Sequence, residues 1–255
     1  MSREVPIVSG NRWILGPVPD SAARMRLFCF PYAGGGASAF ISWRSLLRPT
    51  GVDVCCVQLP GRETRFNESP FTAMDELAFQ TCDGIEPYLS LPFSFFGHSM
   101  GALACFEITS ELTRRGRMLP EWLLISGSIP PHRRPVESLH TLPTDEFIDT
   151  VARRYNGLPR AVLADKELLD IVVPILRADF ALTERYRIET VRALPVKIAA
   201  FGGRWDESVP PAKLQYWRDL TAQPERFQVM LFDGDHFFFN DQRQQLLAEI
   251  VRLLT

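Results

Sequence analysis

A serine set between two glycines directly behind a short apolar run constrains this chain more than any other stretch. Phe93-Ser94-Phe95-Phe96 reads as a buried strand, and it runs into Gly97-His98-Ser99-Met100-Gly101. The pattern predicts a sharp strand-to-helix turn, because only residues with almost no side chain fit two positions before and two after its apex. In such a turn the apex serine is strained and exposed, with its backbone N–H free to bind an oxyanion. The helix required on the far side is legible: Ala102 to Arg115 carries Leu103, Phe106, Ile108 and Leu112 alongside Glu111, Arg114 and Arg115, an amphipathic pattern.

From Met25 onward short apolar runs alternate with longer amphipathic ones, which predicts an α/β fold with a mostly parallel sheet flanked by helices. Strands are expected over Met25–Phe30, Val52–Gln58, Phe93–Phe96, Trp122–Ser126, Val196–Phe201 and Phe227–Leu231. Helices fit Ala39–Leu47, Met74–Leu89, Gly101–Arg115, Pro211–Leu220 and Gln242–Leu254. The alternation fails between Gly127 and Leu194, where helical patterns appear around Thr144–Arg154, Asp165–Val173 and Ile175–Thr190 with no strand. Helices inserted after a strand's carboxyl end are expected to form a lid, since ligands bind at that edge of an open α/β sheet. Residues 1–24 then read as an N-terminal extension and 25–255 as one domain, with a helical lid insertion at about 128–194.

Bulk properties exclude several classes. A formal net charge of -2 gives no general attraction to nucleic acid or to an anionic membrane. Cys29, Cys55, Cys56, Cys82 and Cys105 are odd in number, lack metal-ligand spacing and lie mostly in apolar runs, as reduced core residues of a cytoplasmic protein do. Met1 to Gly10 has no sustained apolar stretch of the secretory kind, and nothing approaches the ~20 apolar residues of a membrane span.

A serine hydroxyl is a poor nucleophile until an imidazole takes its proton and a carboxylate fixes that imidazole's tautomer. Of the four histidines, His98 adjoins Ser99 on a turn that sends the two side chains apart, so packing or orienting the turn is its expected role. His132 and His140 open the helical insertion, at surface or substrate-channel positions. His236 follows the strand Phe227–Leu231 and the turn Asp233-Gly234-Asp235, which puts it on a loop at the sheet's active edge and makes it the candidate base. Asp206 lies in chain order between Ser99 and His236, in the loop opened by Gly202-Gly203, and is the candidate acid with Glu207 as fallback. Asp233 and Asp235 read as turn formers. Phe30-Pro31-Tyr32-Ala33-Gly34-Gly35-Gly36 supplies a second loop. It lacks phosphate-binding spacing, so it is expected to give an oxyanion donor from Tyr32 or Ala33 to complement the Met100 N–H.

Taken together, Phe30-Pro31-Tyr32-Ala33-Gly34-Gly35, Gln58-Leu59-Pro60-Gly61-Arg62-Glu63, Gly97-His98-Ser99-Met100-Gly101 and Gly234-Asp235-His236-Phe237-Phe238 resemble the stand-alone type II thioesterases of polyketide and nonribosomal peptide synthesis. The resemblance runs from about Met25 to the C-terminus and implies the α/β-hydrolase fold, with Ser99, Asp206 and His236 as a triad under a lid. It implies hydrolysis of acyl groups from the phosphopantetheine arm of an acyl or peptidyl carrier protein. No metal or bound cofactor is implied, since phosphopantetheine arrives with the substrate, and the expected enzyme is a cytoplasmic monomer that binds neither nucleic acid nor membrane. Arg133-Arg134 and Arg153-Arg154 are candidates for a basic rim facing an acidic carrier; Arg62 and Glu63 would touch the partner or fix their own loop. The alternatives are a small-molecule carboxylesterase or lipase on the same triad, an acyl-transferring or macrocyclising terminal domain, and a noncatalytic hydrolase-like binding protein.

Overall fold

Every residue of Met25–Phe30, Phe93–His98 and Trp122–Ser126 is buried, as near-continuous apolar runs require when a sheet is covered on both faces. A computed structural model describes residues 11–155, 157, 160–188 and 190–255. In chain order its elements are β1 (Ile14–Leu15), β2 (Met25–Phe30), α1 (Ile41–Leu47), β3 (Val52–Val57), α2 (Met74–Ile85), β4 (Phe93–His98), α3 (Met100–Arg114), β5 (Trp122–Ser126), α4 (Thr144–Tyr155), α5 (Arg160–Leu163), α6 (Lys166–Arg185), β6 (Lys197–Gly203), β7 (Gln228–Phe232), α7 (Phe238–Asp241) and α8 (Arg243–Leu254). The strands lie in the order β1-β3-β2-β4-β5-β6-β7. All pairs are parallel except the edge pair β1 and β3.

That order decides where a site can form. The chain passes outward from β2 to β3, returns to β4 on the other side of β2, and then proceeds through β5, β6 and β7. Connections after β2 and β4 therefore diverge, opening a crevice above the carboxyl ends of these neighbours. Phe30 is in register with Gly97, so the loop after β2 and the turn after β4 emerge side by side. One face of the sheet is covered by Phe40, Trp43, Leu246 and Ile250. The other is covered by Leu77, Leu103, Phe106 and Trp217.

Some sequence expectations need correction. The two helical patterns broken at Pro174 form one helix, α6, with the proline inside it. An internal proline costs about 3 kcal/mol. Val173, Leu176 and Phe180 on either side of it pack with Phe147 and Val151 of α4, and apolar side chains worth about 1.5–3 kcal/mol each when buried outweigh that cost. The helix expected over Pro211–Leu220 is present, and it is of the 3-10 type. Residues 1–10 of the expected N-terminal extension lie outside the described residues, whereas Ile14 and Leu15 pair with Cys56 and Val57 and belong to the sheet.

The five cysteines are buried free thiols. Burial first, with neighbouring charges adjusting the result, pushes Cys56 and Cys82 each up to about 12. No helix among the described residues is long and apolar enough to cross a membrane.

Candidate active site

Ser99 stands between β4 and α3 with φ 54 and ψ -111. Among the described residues only Ser99 and Glu63 combine a side chain with positive φ, a strain of about 1–3 kcal/mol that surrounding structure must hold. The flanking glycines are required by backbone against backbone. A Cβ on Gly97 would strike the Gly101 carbonyl, and one on Gly101 would strike the carbonyls of Phe30 and Pro31. Ser99 itself is half-buried. Its N–H is not free, contrary to the sequence expectation: it donates to the Ser126 carbonyl at 2.7 Å and ties the turn to the end of β5. Met100 begins α3, where no helical carbonyl can accept its N–H.

The loops after β6 and β7 are stitched together by bonds from the Arg204 N–H to the Phe232 carbonyl at 2.9 Å and from the Trp205 N–H to the Gly234 carbonyl at 3.0 Å. This brings Asp206 against His236, with Oδ2 2.7 Å from Nδ1. The other oxygen, Oδ1, accepts the Ser208 N–H at 2.9 Å, the Ser208 hydroxyl at 2.6 Å and the Val209 N–H at 2.9 Å. Burial pushes the Asp206 carboxyl up, but the hydrogen bond and charge of His236, with the Ser208 and Val209 donors, outweigh it and hold the group below its ordinary value. A carboxylate at Nδ1 selects the tautomer protonated there and leaves the Nε2 lone pair available. Glu207, the fallback acid, is exposed. Asp233 pairs with Arg204 at 3.0 Å, and Asp235 accepts the Phe237 N–H at 2.9 Å, in keeping with turn-forming roles.

The other histidines are engaged elsewhere. His98 is fully buried, with Nδ1 2.9 Å from the Ser126 hydroxyl and its ring 4.6 Å from that of Phe239 and 5.0 Å from that of His236. Burial, then the neighbouring His236, drives its pKa well below the usual histidine value; a polar contact with the His236 backbone acts in the opposite sense. His132 lies 3.2 Å from Asp219, and His140 pairs with Glu184 at 2.5 Å.

Ser99, Met100, His236, Tyr32 and Ala33 border one cavity of about 280 Å³. Val151, Leu176 and Phe180 close it from the insertion, which also brings Arg134, Glu137 and Glu184 to its lining, so the inserted segment forms a largely apolar roof over the sheet's carboxyl edge. Arg133 stays outside, 4.9 Å over the Tyr216 ring. Arg134 does not join it on a rim but turns into the cavity. Arg154 is likewise committed, paired with Glu137 at 2.7 Å.

A strained serine, a carboxylate-backed histidine and an apolar chamber on this sheet suit acyl chemistry, and comparison with known proteins narrows the reaction. The family model for the thioesterase domain matches residues 25–254. The chain belongs to the thioesterase family. Its relatives include the gramicidin S biosynthesis protein GrsT of Aneurinibacillus migulanus, 38% identical over 96% of this chain and 94% of that one. Thioesterase PikA5 of Streptomyces venezuelae is 35% identical over 95% of this chain and 85% of its own length. Among solved structures, the RedJ thioesterase from the prodiginine pathway of Streptomyces coelicolor superposes with a TM-score of 0.85 at 37% identity, covering 95% of this chain and 91% of RedJ. The type II thioesterase BorB from the borrelidin cluster gives 0.84 at 32% identity, covering 95% and 98%. This thioesterase thus has an α/β-hydrolase fold, and its reaction class is thioester hydrolysis.

Two residues of the thioesterase site carried no recognised signal in the sequence. Ser208 is readable in hindsight, since an aspartate two residues before a serine is a common turn pattern. Asp179 is not. Its carboxylate reaches Arg62 at 2.7 and 2.8 Å across 117 positions of chain, and nothing local distinguishes it on an amphipathic helix.

Proposed function

We propose that this thioesterase removes acyl groups from the phosphopantetheine arm of acyl or peptidyl carrier proteins, clearing stalled or mis-primed synthase modules. The single observation that carries the reading is the buried Asp206–His236 pair, 2.7 Å between Nδ1 and Oδ2, with His236 lining the same cavity as Ser99 in a chain of this family. The Ser99 oxygen attacks the thioester carbonyl carbon while its proton passes to His236 Nε2. The carbonyl electrons move to oxygen, where the Met100 N–H and an N–H of Tyr32 or Ala33 bind the negative charge. Collapse breaks the C–S bond, and the proton on Nε2 goes to the departing sulfur. A water molecule then attacks the acyl-serine, giving its proton to Nε2; the C–O bond to Ser99 breaks and that proton returns to the serine. The sum is thioester plus water to acid plus thiol. A thiolate, with a reference pKa of about 8.5, is a good leaving group, so the step asks little of the general acid.

The roles of Ser99, Asp206 and His236 need no metal or bound cofactor; phosphopantetheine enters as part of the substrate. The carrier is the macromolecular partner, and we take the enzyme to be a cytoplasmic monomer without nucleic-acid or membrane partners. The test is mass spectrometry of a panel of acyl-carrier proteins incubated with wild type and Ser99→Ala, beside a simple aryl ester. Acyl release by the wild type alone is expected, with the carrier thioesters preferred. Undiminished release by Ser99→Ala would refute the nucleophile, and a strong preference for the aryl ester would refute the substrate class.

A further inference from the structure

The Pro60-Gly61-Arg62-Glu63 segment plays no part in the chemistry above, yet Arg62 turns inward onto the loop that follows β2. Arg62 is 4% exposed. Its Nε donates to the Pro60 carbonyl at 3.2 Å and its Nη1 to the Gly35 carbonyl at 3.1 Å, while Nη1 and Nη2 reach the two oxygens of Asp179 at 2.7 and 2.8 Å. Asp179, 2% exposed on α6, uses Oδ2 a second time to accept the Gly34 N–H at 2.7 Å. The Gln58 amide holds the Arg62 carbonyl at 3.0 Å. Glu63 accepts the Ser38 N–H at 3.3 Å at the far end of the same loop.

These bonds act on peptide planes, which are rigid. The Gly34 N–H on Asp179 fixes the plane between Ala33 and Gly34, and the Gly35 carbonyl on Arg62 fixes the plane between Gly35 and Gly36. A turn bond from the Gly35 N–H to the Tyr32 carbonyl at 2.9 Å fixes the two planes at its ends. The Ala33 N–H belongs to the Tyr32–Ala33 plane and, across a trans peptide, points opposite to the Tyr32 carbonyl. Its direction is therefore set without any help from substrate. Three consecutive glycines give this loop large conformational freedom, whereas an oxyanion donor is effective only when preorganised. The buried pair reconciles the two.

We propose that Arg62 and Asp179 are positioning residues for the oxyanion donor, locking the backbone of residues 32–36 and making that geometry conditional on α6 being seated. The inference rests on the oxyanion reading of Tyr32 and Ala33 given above. Asp179→Asn keeps the shape but has one oxygen where two are in use: placed at Oδ2 it faces Arg62 Nη2 with an amide donor, and placed at Oδ1 it abandons Gly34. Arg62→Lys keeps the charge and loses the two-pronged contact.

The experiment follows hydrolysis of hexanoyl-N-acetylcysteamine by wild type, Asp179→Asn, Arg62→Lys and Ser99→Ala. Inhibition by pentyl trifluoromethyl ketone, whose serine adduct places an oxyanion in the hole, is compared with inhibition by hexanoate, and thermal melting reports folding. One oxyanion donor is worth about 10²–10³ in turnover. We expect both positioning variants to lose about 10- to 100-fold in kcat and in ketone affinity together, with KM and hexanoate inhibition within about threefold. A folded variant with wild-type kcat overturns the proposal. So does loss of KM and hexanoate binding in the same proportion as the ketone, the mark of a collapsed chamber. Arg62→Lys decides the matter if Asp179→Asn does not fold. Activity surviving in Ser99→Ala would instead refute the site assignment, a different outcome from wild-type turnover in the Arg62 and Asp179 variants.

Discussion

Replacing Asp206 by asparagine probes the site by exchanging one carboxylate oxygen for an NH₂ group. Oδ1 of Asp206 receives three donors, the Ser208 N–H, the Ser208 hydroxyl and the Val209 N–H. Only an oxygen satisfies them, so asparagine must keep its carbonyl there and turn its NH₂ to the Oδ2 position, which is 2.7 Å from His236 Nδ1 in the wild type. Two donors cannot face each other at that distance. Nδ1 loses its carboxylate acceptor and keeps only the Ser208 oxygen at 3.1 Å, so the balance shifts to the tautomer with hydrogen on Nε2, in which the base has no lone pair for Ser99. The same tautomer fault in a serine triad costs about 10⁴ in kcat, or about 5.5 kcal/mol of transition-state stabilisation. Release of thiol from an N-acetylcysteamine thioester, followed with a chromogenic thiol reagent, measures it directly. Ser208→Ala removes one of the three donors and leaves the carboxylate, so it should lose much less. A folded Asp206→Asn enzyme within about tenfold of wild-type kcat would refute the assignment of Asp206 as the orienting acid.

Gly101→Ala should lower stability by about 1–3 kcal/mol in chemical denaturation, because the new methyl meets the Phe30 and Pro31 carbonyls rather than a movable side chain; an unchanged midpoint would refute the close-approach argument. His98 predicts a pH effect on folding. Its pKa is depressed in the folded chain, so its contribution is complete above the ordinary value of 6.5 and is lost below it, where only the unfolded chain takes up the proton. Unfolding free energies between pH 7.5 and 5 should fall by up to about 1.4 kcal/mol per unit below that value, and His98→Asn should flatten the slope; equal slopes would overturn it.

The sheet was legible because its strands are apolar on both faces, so no period had to be judged. The triad was legible for a related reason: the loops after β4, β6 and β7 carry a serine, an acid and a histidine at strand ends, where small residues permit tight turns. β1 escaped notice because two residues pairing at a sheet edge leave no pattern. Pro174 misled because the penalty of a proline is local while the packing of Val173, Leu176 and Phe180 with α4 is not. The fate of the Ser99 N–H depended on the Ser126 carbonyl at the end of another strand. Arg134 looked like half of an exposed basic pair, and only the course of the insertion separates it from Arg133.

Thiol burial bears on what the enzyme does to itself. On our reading each turnover releases a thiol near the cavity mouth, and free thiols equilibrate with disulfides through exposed thiolates. Every sulfhydryl of this chain is buried, and Cys56 and Cys82 are held near pKa 12, so none is a competent nucleophile toward a disulfide formed when that product is oxidised. The folded enzyme should accordingly react with none of a chromogenic thiol reagent until denatured, which makes the released arm the sole source of signal in an assay.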